Sequence, residues 1–424
     1  MKAKKLLSLI MTTLMVSTLL IGCASKKNDE PATKKENVTL TYSIWDQNQK
    51  AALDEIATEF HKTNANITVK VEVTPWGDYW TKMDTAASGG ALADILWMNG
   101  PNFQKYASND ILASITEKID KDKFNMDNFN KSLVSLYTYN DKIYGMPKDF
   151  DTVGLWYNKK MFTDAGIKFP DATWTWDTFS EAAKKLTDAS KGVWGFASTV
   201  ENQTGYYNAI LQNGGKVISE DGKKSGYDDP NTIAAMKFWT DMISNKISPN
   251  LKQMTDTDPR TLFSSGKVAM IFDGSWGQKT YLANEFTKAN VDCSVLPKGK
   301  ENATVIHGVA SVISAKSKQQ DAAWEFLKFM GSKQSAEILA NKAGIIPAFN
   351  GTQDIWVKSN TSFNLQIFID ELTYAKPYPI SKNTPKWQEA ETKFFTKAWS
   401  GDITIEEACK QVALEMNKNL AEEK

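Results

Sequence analysis

From Val38 onward, short runs with strand spacing alternate with longer stretches at helical spacing. Residues 38–45 (VTLTYSIW) are rich in β-branched and aromatic side chains and predict an opening strand. Leu53, Ile56, Ala57 and Phe60 recur at three- and four-residue intervals, which predicts a helix. Residues 67–73 (ITVKVEV) alternate apolar and polar, as a strand with one buried face does. A second helix is expected over 78–88, stopped by Gly89-Gly90, and a buried strand over 93–98 (ADILWM). Such a β-α-β-α-β run aims the C-terminal ends of its strands at one crevice, where open α/β sheets hold ligands.

A second unit begins in the middle of the chain. Strands are expected at 153–157, 268–272 (VAMIF), 291–296 and 305–314 (VIHGVASVIS). Helices are expected at 176–187, 232–245, 321–341, 387–400 and 403–420, with a turn at Asn213-Gly214-Gly215 and a hairpin loop over 219–230. Asp149 and Asp151 fall two apart on one extended segment, hence on one face.

The first 22 residues stand apart. Lys2, Lys4 and Lys5 precede an apolar run from Leu6 to Ile21, too short to span a bilayer and flanked like a signal peptide. Leu20-Ile21-Gly22-Cys23 resembles a bacterial lipobox, which implies cleavage after residue 22 and acylation, palmitate included, of Cys23. An uncleaved membrane anchor is the alternative. Residues 23–38 are polar and lysine-rich and cannot bury enough apolar surface to fold, so they predict a flexible tether.

Cleavage would leave 47 basic residues against 50 acidic ones, a balance of −3. No basic stretch suggests nucleic acid. Two histidines, His61 and His307, and no Cys-x-x-Cys leave little to build a transition-metal site, and no cofactor is expected. Cys293 and Cys409 read as buried thiols, with a disulfide open. Arg260 is the only arginine, which argues against a bidentate clamp for an anionic ligand.

Several segments together resemble the family 1 extracellular solute-binding proteins, the sugar-binding subunits of ABC importers that include maltose-binding protein. They are GMPKDFDTVGLWYNKKMFTDAGI (145–167) with TWTWDTFSEAAKKL (173–186), LFSSGKVAMIFDGSWG (262–277), HGVASVISAKSKQQDAAWEFLKFM (307–330) and SGDITIEEA (400–408). The resemblance implies an α/β, type II periplasmic-binding fold: two lobes joined by a hinge, with the ligand in the cleft between them. Crossings would fall near 150–153, 306–309 and 346–349. The lobes would then be 39–150 with 308–347, and 151–306 with 348–424. It further implies a monomer, lipid-anchored on the extracellular face of the cell membrane, that binds a sugar and hands it to ABC transporter membrane subunits without altering it.

A sugar offers hydroxyls to polar groups and flat apolar faces to aromatic rings. Candidate contacts sit at strand ends: Trp45 and Asp46, Trp97 and Asn99, Asp149 and Asp151 at the first crossing, and Trp276. The resemblance adds His307 and Gly308 at the second crossing, with His307 where the family commonly has glycine. It also adds Tyr378 and Trp387, while Tyr206 in the ENQTGYY loop is a further platform candidate. Each tryptophan could instead belong to the core. A secreted glycoside hydrolase would need two carboxylates about 5–9.5 Å apart, one with a raised pKa, and nothing in the sequence marks either aspartate as an acid. A binding protein for a polyamine, metal or peptide is the other alternative.

Overall fold

The computed structural model describes residues 36–423, so the leader, Cys23 and all but the end of the tether lie outside the described residues. Strands Val38–Ile44 (β1), Ile67–Val73 (β2) and Ile95–Asn99 (β3) form a parallel core with helices Gln47–Thr63 (α1), Trp76–Gly89 (α2) and Gly100–Ser108 (α3) between and after them. The sheet continues antiparallel from β3 into Val305–Ser314, then Gly145–Asp151, and ends on Ile346–Pro347.

A second sheet has the order Val291–Ser294, Val153–Asn158, Val268–Gly274, Trp194–Phe196. Only Thr152 separates Gly145–Asp151 in the first sheet from Val153–Asn158 in the second. Residues 145–158 are buried throughout, as a segment enclosed on both sides must be. The crossing is pinned locally: Thr152 Oγ1 donates to the Phe368 carbonyl at 2.9 Å, and the Val153 amide donates to Thr304 Oγ1 at 3.0 Å.

Two expected elements differ. The single helix over 321–341 is divided into Gln320–Met330, Lys333–Ile338 and a wider turn Leu339–Ala343. The break falls at Gly331, where a Cβ would lie 2.7 Å from Met146 Sδ, and the chain restarts with Ser332 capping the Ser335 amide at 3.2 Å. The hairpin loop ends early because Asp229 caps the Asn231 amide and Pro230 opens helix Pro230–Ser244. Cys293 and Cys409 are buried and unpaired with each other. Among the described residues no helix is long and apolar enough to cross a membrane.

Candidate functional site

The strand ends open onto a cavity of about 830 Å³ lined from both sheets and from the C-terminal helices. Its first wall follows β1. Trp45 and Asp46 come directly after the strand, and the Asp46 carboxylate caps α1, accepting from the Asn48 amide at 2.9 Å and from Gln49 Nε2 at 3.1 Å. Asn99, at the end of β3, caps α3 in the same way through the Asn102 amide at 3.2 Å. Two of the expected polar contacts are thus N-caps, which brings two helix N-termini to the cavity.

The floor is the crossing. Asp149 accepts the Val309 amide at 3.0 Å and pairs with Lys148, whose ammonium is fully buried, bonds Gln49 Oε1 at 2.9 Å and lies 4.3 Å from the Trp97 ring. Burial pulls the Lys148 pKa down despite Asp149. Asp151 accepts from Gln203 Nε2 at 2.7 Å, and burial, then Asp149, pushes its carboxyl well above the ordinary carboxylate range. His307 faces Asp151 across the strands. Its Nε2 accepts the Gly100 amide at 3.0 Å, which puts the ring proton on Nδ1, 3.9 Å from Asp151. Burial lowers its pKa to about 4, so the ring is neutral near pH 7.

The far wall holds Trp276, Tyr206 and Tyr378. Trp276 sits in a tight turn, Ser275–Gly277, after strand Val268–Gly274, and its indole folds back over Gly274. The Tyr206 hydroxyl donates to Glu391 at 3.1 Å, an oxygen pair that also takes Tyr207 and Tyr227. Burial raises Glu391 to about 7. Tyr378 accepts Gln388 Nε2 at 2.7 Å and meets His307 edge to face. Arg260 grips Asp273 with two bonds of 2.7 and 2.6 Å, and Tyr281 adds a third at 2.6 Å. The guanidinium fork is thereby turned on the protein's own carboxylate.

Nine expected residues therefore line one cavity: Trp45, Asp46, Asn99, Asp149, Asp151, Tyr206, Trp276, His307 and Tyr378. Trp97, Gly308 and Trp387 do not. Trp97 is wholly buried, with its Nε1 on the Tyr42 hydroxyl at 2.8 Å. Trp387 is wholly buried on Ser381, and the cavity takes Gln388, Glu391 and Thr392 from its helix instead. Gly308 is a packing glycine: a Cβ there would lie 2.7 Å from the Asp149 carbonyl. The cavity also takes Arg260, singled out in the sequence only as the sole arginine, and Trp76, Trp80, Gln203 and Glu391, which were not among the expected contacts. The i,i+4 pair Trp76/Trp80 was the one legible signal among them.

Two α/β lobes with a cavity at strand ends and crossing strands beneath it define a type II solute-binding fold. The chain belongs to the bacterial extracellular solute-binding proteins, whose family model matches residues 45–337. It is 30% identical to an ABC substrate-binding protein from Listeria monocytogenes solved in complex with cycloalternan, with a TM-score of 0.86 over 91% of this chain and 100% of that one. It is 24% identical to a maltooligosaccharide ABC transporter solute-binding lipoprotein from Streptococcus pneumoniae, over 93% of this chain and 92% of the relative. The GacH receptor of Streptomyces glaucescens, solved with acarbose, shares the fold at 23% identity and a TM-score of 0.81, over 91% and 99% of the two chains.

Proposed function

We propose that this protein captures an uncharged oligosaccharide outside the cell and delivers it, chemically unaltered, to the membrane subunits of an ABC importer. The observation that carries the reading is the pairing of aromatic walls with buried carboxylates and amides around one large cavity. Asp149 is matched by Lys148 and Asp273 by Arg260, so neither demands a charged ligand. The sugar relatives support the same class. Asp46, Asn99, Asp149 and Asp151 would bond hydroxyls, while Trp45, Trp276, Tyr206 and Tyr378 would face rings and His307 would brace the floor.

Sheet membership supports lobes of 39–150 with 308–347 and of 151–306 with 348–424, hinged at the crossings. The lipobox-like segment supports a lipid anchor at Cys23 on the outer face of the membrane, and the family resemblance implies a monomer as the working unit. A thermal-shift screen against mono- and oligosaccharides tests the function, since a ligand bound only by the native state raises its melting temperature. Shifts with sugars and none with spermidine are expected. A shift with spermidine alone would favour the cationic-ligand alternative.

A further inference from the structure

Three large apolar side chains are strongly exposed among the described residues: Trp76 at 55%, Phe169 at 41% and Leu414 at 58%. Of these, Trp76 alone lines the cavity. It is the first residue of α2, set by Pro75 at the helix cap, and Trp80 follows one turn later on the same face. Trp45 arrives from the end of β1. The three indoles meet at angles, with Trp76 5.5 Å from Trp45 at 68° and 6.4 Å from Trp80 at 86°.

These contacts hold Trp76 in place without stacking on it, since neither ring lies parallel to it. Trp76 itself is 55% exposed, so much of its surface is open to solvent. Trp45 and Trp80 are half-buried, so the wall runs from the cavity's interior to a rim where the last indole is left in water. An exposed, braced and unstacked indole on the rim of a ligand cavity is a platform for a flat apolar face.

We infer that Trp76 forms an outer subsite for one more pyranose ring, and so sets the length of oligosaccharide that the protein retains. This rests on the oligosaccharide reading above. Inner rings lie between Trp45 and the wall of Trp276 and Tyr378. The ring beyond them rests on Trp76, and a ligand too short to reach it gains nothing from that indole.

The test is calorimetric titration of the mature chain and of Trp76→Ala with α-1,4-glucan oligomers of two to seven units, the β-1,4-glucan and β-1,4-mannan series run alongside. In the bound series, Trp76→Ala should weaken the longer oligomers about tenfold and leave the shortest bound ligand unchanged. Its melting temperature without ligand should match wild type, and Trp76→Gln should behave the same way. Equal loss at every length, or no loss at any, overturns the subsite while leaving oligosaccharide binding intact. If the wild-type chain binds no member of any series, the oligosaccharide reading falls and the subsite falls with it.

Discussion

A single methyl group at position 274 would come within 2.0 Å of the Trp276 ring. The indole can lie over the backbone there only because Gly274 has no side chain. Gly274→Ala should therefore lift Trp276 off the wall and mimic Trp276→Ala, each costing about 2–4 kcal/mol of sugar binding as hot-spot truncations do, with little change in melting temperature. If Trp276 served the core instead, its loss would destabilise by about 3–5 kcal/mol and spare affinity. Dissociation constants and melting curves of both variants decide the matter. Trp45 and Trp276 were legible as aromatic residues leaving apolar strands. Trp97 was not separable from them by that rule, because residues of one strand alternate between faces and sequence does not say which face a cavity takes. Gln203 and Glu391 carried no local signal, since their partners, Asp151 and three tyrosines, lie far off in the chain.

At the scale of elements, the crossing strands join α3 to the far wall through a short chain of polar and ring contacts. The Gly100 amide bonds His307, His307 faces Asp151 and Tyr378, and Asp151 takes Gln203. The histidine titrates near 6.5 when unfolded and near 4 when folded. Its contribution to stability is present above pH 6.5 and lost as pH falls towards 4, to a total of about 3 kcal/mol. Asp151, with its raised pKa, acts in the opposite sense on the acid side. The His307 part is isolated by comparing wild type with His307→Gln, which keeps an acceptor for the Gly100 amide. The difference in unfolding free energy between them should change as pH falls from 6.5 to 4, and a constant difference would contradict this role. The helices and the parallel strands were legible from periodicity because they are set by local spacing. The break at Gly331 was not, because it answers to Met146, a neighbour only in space.

Over the whole molecule, the chain changes sheets between Asp151 and Val153, and Val305–Ser314 pairs with a strand some 160 residues earlier, Val309 opposite Asp149. Periodicity cannot reveal such pairings, so the two-lobed architecture was legible only through resemblance. The lipobox-like segment leads to a cellular prediction: Cys23→Ser should release the protein from membranes or leave an uncleaved precursor, and retained palmitate labelling would refute the anchor. Closure of the lobes on a ligand should reduce the radius of gyration in solution scattering, as a ligand that prefers the closed form shifts that population. The most direct test of sugar capture is calorimetric titration of the mature chain with the oligosaccharide that most raises its melting temperature, followed by chromatography of the recovered ligand. One saturable site with a dissociation constant at or below about 1 μM, roughly −8 kcal/mol, and intact sugar recovered is the predicted result. A cleaved product, or no heat of binding at saturating sugar, would contradict it.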